Sequence, residues 1–384
     1  MSPYAKPSIR PVAPYFSSGP TKKRPGWSPS SLDDACTSRS HRSKPAKQKI
    51  NNAMTLARDI LGLPDKYRIG IVPGSDTGAV EMTMWSMLGA RGVEVLAWES
   101  FGRDWMNDAV NQLKIDPITR VVPYGQLPNL GAVDFTNDVL FTWNGTTSGV
   151  KVPDGSWIPD DRAGLTIADA TSACFAMELP WDKLDAVTFS FQKSLGGEGG
   201  HGVLILSPRA VERLETYVPN WPIPKLFRLT VKGKLNDGIF GETTINTPSM
   251  LVVEDAVDAL NWAKSIGGLP ALIARSEASL DVVKAWERTT PFFSFLAKEP
   301  ATISNTSITL SITDSWFVGL NDTEKAVIAS EVSKCLENEG IALDVASYRD
   351  APPGIRIWAG PTVETSDIAA LLPWLDWAYT KVAQ

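Results

Sequence analysis

The sequence predicts an α/β protein: a large, mostly parallel sheet domain covered by helices, followed by a smaller C-terminal α+β domain. Three observations carry this. Up to about residue 250, short apolar runs alternate with helical periodicities, the order that a βαβ chain produces. Beyond about residue 270, strands and helices follow one another without that strict alternation. The chain has 384 residues, too many for one small core and enough for two domains. The expected division is an N-terminal arm over 1–15, a large domain over 16–268 and a small domain over 269–384.

Residues 1–50 are irregular and rich in Pro, Ser, Lys and Arg, a composition that reads as a disordered arm. Two features resist that reading. Phe16-Ser17-Ser18-Gly19-Pro20 sets an aromatic beside a tight turn, and Ser38-Arg39-Ser40-His41-Arg42-Ser43 gathers cations and hydroxyls that suit an oxyanion. A helix is expected over 44–62, stopped by Gly62 and Pro64. A strand over 67–72 then runs through the small-residue turn 73–78 into a helix over 79–88. Strand, small turn and helix start together point free backbone N–H groups at an anion, although the turn is neither a Walker A loop nor a GxGxxG fingerprint.

Further strands over 92–98, 139–143 and 165–168 end in Glu99-Ser100-Phe101-Gly102, Asn144-Gly145-Thr146-Thr147 and Asp169-Ala170-Thr171-Ser172, with helix resuming from 104. Val187, Phe189 and Phe191 alternate with polar residues as a strand that leads to Gln192, Lys193 and a glycine-rich turn, with a second apolar run over 203–206. After a helix over 209–216 comes a long excursion to about 249, a length more typical of a functional loop that caps a site or reaches a partner subunit. Helices are expected over 250–264, 270–288 and 323–338 and from 366 with Pro373 inside, and strands over 303–312, 341–345 and 354–358.

Bulk properties remove several function classes. A net charge of −6 argues against general nucleic-acid binding, which needs a basic face, but leaves room for a local cationic pocket. Three widely spaced cysteines form no disulfide framework and no CxxC pair, and two histidines rule out a three-histidine metal site. No metal is expected. The N-terminus lacks the apolar core of a signal peptide, and no run is long enough to span a bilayer, so a cytoplasmic protein is the default expectation.

The chemistry centres on Lys193. A lysine at the tip of a buried strand has its ammonium disfavoured by apolar surroundings, and such an amine forms Schiff bases with carbonyls. In open parallel sheets ligands bind at the carboxyl ends of strands, where Asp76, Thr146, Asp169 and Lys193 fall. A strand-end Asp169 followed about two dozen residues later by Lys193 suits pyridoxal 5′-phosphate. The carboxylate would keep the pyridine nitrogen protonated, a helix N-terminus would hold the phosphate, and Phe101 would lie against the ring. Arg356, in a strand, calls for an anionic partner. His201 reads as a packing residue of the glycine turn.

At these residues the chain resembles the phosphoserine aminotransferase family, in the class V group of fold-type I pyridoxal-phosphate enzymes. The resemblance runs from Phe16-Ser17-Ser18-Gly19-Pro20 through Ser40-His41-Arg42, Asp169-Ala170-Thr171-Ser172, Ser190-Phe191-Gln192-Lys193 and Asn246-Thr247-Pro248 to the C-terminal domain. It implies that Lys193 is the Schiff-base lysine and Asp169 its catalytic partner at the pyridine nitrogen. Thr146 would contact the ring hydroxyl region. Asp76 and Thr77, with Ser75 nearby, would offer backbone N–H groups to the phosphate, helped by Gln192. Asn246 and Thr247 would complete the phosphate cup from the other subunit of a homodimer with shared sites. Arg356 would take the substrate α-carboxylate, and His41, Arg42 and Arg349 the substrate phosphate or the glutamate side chain.

The implied reaction passes the amino group between L-glutamate and 3-phosphohydroxypyruvate in serine biosynthesis, and related substrates extend it to vitamin B6 biosynthesis. Three positions depart from the common family pattern: Thr77 where an arginine is usual, Phe101 where a tryptophan is usual, and Tyr348 where a histidine is common. The alternatives are another class V transaminase of the serine– or alanine–glyoxylate type, and a non-catalytic binding paralogue.

Overall fold

The computed structural model describes residues 5–383, so the first four residues of the expected arm lie outside the described residues. The central sheet has seven strands: β1 (Arg68–Pro73), β2 (Val93–Ala97), β3 (Ile118–Val121), β4 (Asp138–Thr142), β5 (Thr166–Asp169), β6 (Ala186–Ser190) and β7 (His201–Leu206). Their order is β1-β7-β6-β5-β4-β2-β3. β6, β5, β4, β2 and β3 pair in parallel. β7 runs antiparallel to both β1 and β6, because the glycine-rich turn returns the chain at once, with no crossover helix.

Every residue of β4 and β6 is buried. Val139 and Phe141 enter one core while Leu140, between them, enters the other. This is the pattern of a sheet covered on both faces. The cover is α1 (Lys44–Leu61), α2 (Ser75–Met87), α3 (Ser100–Asn111), α4 (Pro208–Thr216) and α5 (Met250–Ser265). α1 and α5 share one core, and α2, α3 and α4 the other. α1 buries Ile50, Ala53, Met54, Ala57 and Ile60 at helical spacing and closes on Gly62, whose φ of 64° is the left-handed conformation glycine takes without penalty.

Two helices start earlier than the sequence pattern suggests. α2 begins at Ser75 rather than 79, against the sharp turn at Gly74, and α3 at Ser100 rather than 104. Glu99 caps α3, its carboxylate accepting from the Gly102 N–H at 2.8 Å. Gly78 is required in the first turn of α2, because a Cβ there would lie 2.1 Å from the Pro73 carbonyl oxygen. Both starts bring Ser75, Asp76, Thr77 and Phe101 into first helical turns beside the carboxyl ends of the strands.

α6 (Gly268–Glu287) passes from one core to the next: Leu272 packs under the large sheet, Leu280 and Val283 in the C-terminal core. That core is built on an antiparallel sheet of β8 (Phe293–Phe295), β9 (Ser307–Ile312) and β10 (Gly354–Trp358), with α7 (Asp322–Asn338) and α8 (Thr365–Val382). The strand expected over 341–345 does not form. Only single bridges occur, at Leu343 and Ala346, because Asp344 turns the chain at φ 59°. β9 starts at Ser307, not 303, since the Ser304 hydroxyl folds a turn by accepting from the N–H groups of Thr306 and Ser307.

The arm is not the disordered segment its composition suggests. Phe16 is fully buried in the C-terminal core, its carbonyl accepting from the Trp358 N–H at 3.0 Å. The Val12 N–H donates to Asp367 Oδ1 at 2.7 Å. Among the described residues no helix is long and apolar enough to cross a membrane.

Candidate active site

A cavity of about 410 Å³ opens where the strands of the large sheet end. Lys193 reaches it two residues after the buried Phe191 and is itself almost wholly buried. Its Nζ donates to the Ser18 carbonyl and lies 5.9 Å from the centre of the Trp358 ring. Burial, and next the Arg356 guanidinium, bring the ammonium down to about 8, while Asp169, Glu99 and Asp76 oppose the shift.

Asp169 ends β5 at the cavity. Its Oδ1 accepts from the Thr171 N–H at 3.1 Å and its Oδ2 from the Trp105 indole N–H at 3.2 Å. Those two donors fix the orientation of the carboxylate. Asp76 stands in the first turn of α2, where burial and then neighbouring Asp169 hold its carboxyl well above the usual range. Glu99 is buried below the start of α3, accepting from Thr147 Oγ1 at 2.8 Å as well as from Gly102. Burial pushes it up to about 7 against those hydrogen bonds.

The rest of the rim follows from the helix starts. Ser75 and Thr77 line the cavity beside Gln192, whose Nε2 donates to Ser75 Oγ at 3.4 Å. Thr146 lines it too, its hydroxyl donating to Ser172 Oγ at 2.8 Å. Phe101 packs against Tyr348 with ring centres 5.6 Å apart. Arg356 closes the cavity from β10, an edge strand rather than a central one. Among the described residues no carboxylate lies within ion-pair distance of it, and its Nε is buried without a hydrogen-bond partner. Its guanidinium lies 5.5 Å from the Tyr348 ring centre. A larger hollow of about 810 Å³ shares Gly19, Pro20 and Arg356 with the cavity. Two cations of that hollow are already engaged, Lys23 with Asp255 and Arg24 with Asp258.

Five of the expected residues do not line this cavity within one chain. Arg349 is exposed beside it, donating to the Tyr348 hydroxyl at 3.0 Å. His41, Arg42, Asn246 and Thr247 lie elsewhere, the last three exposed. Arg42 shares a surface hollow with Lys44, Lys47 and Glu242, and Glu242 stands four residues before Asn246. His201 accepts from the Ser249 N–H at 3.0 Å, a packing role.

Sequence reasoning missed Trp105, Glu99 and Ser18. Trp105 was detectable, standing four residues after Phe101 on the same helical face. Ser18 acts through its carbonyl, for which no side-chain signal exists.

No family model matches the chain. A phosphoserine aminotransferase of Methanosarcina mazei is 55% identical over 379 residues, covering 98% of this chain and 100% of that one. Among solved structures, a phosphoserine aminotransferase of Cytophaga hutchinsonii superposes with a TM-score of 0.80 at 20% identity, covering 94% of this chain and 97% of that one. A PLP-bound phosphoserine aminotransferase of Trichomonas vaginalis gives 0.75 at 18% identity, covering 94% and 99%. At those identities the two structures establish a shared fold.

Proposed function

The chain belongs to the phosphoserine aminotransferase family, and on that footing we propose that it transfers the amino group of L-glutamate to 3-phosphohydroxypyruvate, giving O-phospho-L-serine and 2-oxoglutarate, with pyridoxal 5′-phosphate as cofactor. The observation that carries this reading is Lys193. A buried amine whose pKa is brought down to about 8 is in part neutral, and so nucleophilic, at mildly alkaline pH.

The donor set suits the cofactor. Asp169 offers a carboxylate held by two N–H donors. The first turn of α2 offers the N–H groups of Asp76 and Thr77 to a phosphate, that of Ser75 being taken by the Gly200 carbonyl at 3.3 Å. Among the described residues Gln192 Oε1 is buried without a hydrogen-bond partner, the condition of a group left for a ligand or water. Bound there, the cofactor supplies a carbonyl for the amine and a ring that draws electrons from the carbon losing its proton.

The chain's residues do the rest. Lys193 Nζ holds the cofactor and, when free, carries a proton to and from the substrate carbon. Asp169 would keep the ring nitrogen protonated, and Phe101 would pack against the ring. Thr146 would hold the ring hydroxyl, while Ser75, Asp76, Thr77 and Gln192 would hold the phosphate. Because Thr77 brings no charge, backbone N–H groups carry that contact. Asn246 of the partner subunit and Thr247 of the partner subunit complete it in a homodimer. Arg356, a cation with no carboxylate partner among the described residues, takes the substrate α-carboxylate. Arg349, beside the cavity, takes the phosphate or the glutamate side chain, and His41 and Arg42, away from their own chain's cavity, share that role only if they reach the partner's cavity. The enzyme then serves serine biosynthesis in the cytoplasm, and vitamin B6 biosynthesis through related phosphorylated substrates.

The test is the cofactor's visible band in purified protein. Glutamate should remove it, 3-phosphohydroxypyruvate should restore it, and Lys193→Ala should lack it. Replacing the keto acid by its unphosphorylated form separates this reading from a glyoxylate-type transaminase. No band after added pyridoxal phosphate removes the enzyme reading altogether.

A further inference from the structure

We propose that residues 16–21 are a positioning strap for Lys193, in which the Ser18 carbonyl is the berth of the free amine and Gly19 is the residue that keeps the berth open. This rests on the reading of Lys193 as the cofactor-bearing amine and goes beyond it, because it assigns a place to that amine when it is not bonded to the cofactor.

The strap is fixed at both ends. On one side Phe16 is buried in the C-terminal core and its carbonyl accepts from the Trp358 N–H at 3.0 Å. On the other, the Thr21 N–H donates to the Gln192 carbonyl at 3.0 Å, and Thr21 Oγ1 donates to the Lys193 carbonyl at 2.5 Å. Only residues 17–20 lie between these anchors, and the Lys193 Nζ donates to the Ser18 carbonyl in their midst. Arg356 precedes Trp358 by two residues on β10. One short segment thus registers the amine against the strand that carries the candidate carboxylate-binding arginine.

The chemistry of the berth is one-sided. A carbonyl oxygen accepts an N–H but has no proton to give, so it holds the amine without competing in proton transfer, and it favours the ammonium against burial. Gly19 follows from the same geometry. A Cβ at that position would lie 2.7 Å from Lys193 Nζ, 3.2 Å from its Cε and 3.6 Å from its Cδ, so its nearest neighbours are all on the lysine side chain. Any other residue there displaces the lysine tip, and at a φ of 155° it also strains the strap's own backbone.

The experiment is competitive acylation of Lys193 in the apoenzyme with acetic anhydride across pH, read by peptide mass spectrometry. Gly19→Ala should lower the labelling midpoint by about one pH unit, a tenfold change in free-amine fraction, and label faster below it. Thr21→Val, which removes the strap's side-chain tie at constant volume, should shift the midpoint in the same direction by less, and it carries the test if Gly19→Ala does not fold. Wild-type midpoints and rates in the folded variants overturn the strap. Labelling needs no cofactor, so the two readings fail separately. Wild-type protein in which borohydride traps no pyridoxyl group on Lys193 overturns the transaminase reading, whereas unchanged labelling in protein that does trap it overturns the strap alone.

Discussion

The indole N–H of Trp105 donates to Asp169 Oδ2 at 3.2 Å, from the helix that also carries Phe101. Trp105 is almost fully buried, so this bond stands in a low-dielectric setting. It fixes the carboxylate that is proposed to face the pyridine nitrogen. Trp105→Phe keeps an aromatic ring there and deletes the donor. A lost bond to a charged group is worth about 1.5–3 kcal/mol, so pyridoxal phosphate should bind roughly tenfold or more weakly by spectral titration. Binding equal to wild type would show that Asp169 needs no such brace.

Glu99 should leave a pH signature on stability. Its folded pKa of about 7 lies above the unfolded value of 4.5. Between those values the folded state binds more protons than the unfolded one, so this group's stabilisation, full below 4.5, is lost as pH rises through 7. Glu99→Gln keeps an oxygen for the Gly102 N–H and removes the titration. The variant's unfolding free energy relative to wild type should therefore climb with pH in that window, by at most about 1.4 kcal/mol per pH unit. Urea unfolding at several pH values reads this directly. A flat difference would mean that Glu99 is ionised throughout.

Arg356 acts on the cavity in two ways that one variant separates. As the candidate carboxylate partner, its loss should lower kcat/KM for both substrates roughly a hundredfold, the scale of truncating one side of a buried charge pair. Its guanidinium is also second to burial in lowering the Lys193 pKa. Arg356→Gln should therefore raise the acylation midpoint of Lys193 in the apoenzyme. Among the described residues the guanidinium has no carboxylate partner, so the fold should lose little stability. A lowered midpoint would contradict the electrostatic part of this account.

Much of the site was readable because parallel strands deliver polar residues to one edge. Asp169 and Lys193 stand out as polar groups that end or follow buried apolar runs, and position alone assigned them to a common crevice. What escaped has physical reasons. β3 is an exposed edge strand with little apolar pattern. The reversal of β7 depends on the turn before it and not on its own residues. The α2 and α3 starts are set by the Gly74 turn and the Glu99 cap, which override the later onset of helical apolar spacing. The 341–345 segment has strand composition, but Asp344 breaks it. The arm's polar composition hides Phe16, the anchor that orders it.

The exposed position of Asn246 and Thr247, away from their own chain's cavity, gives the proposed shared site a genetic test. If these residues serve the partner's cavity, Lys193→Ala and an Asn246→Ala/Thr247→Ala variant each inactivate a different contribution to a site. In a mixed dimer one site then carries both defects and the other carries neither. Random pairing makes half of the dimers mixed, each with one intact site, so co-expression should restore about a quarter of wild-type activity from two inactive parents. If the residues instead served their own chain, each site of the mixed dimer would carry one defect and no activity would return. The count of recovered sites, by borohydride trapping of pyridoxal phosphate on Lys193 and turnover together, separates restored catalysis from restored folding.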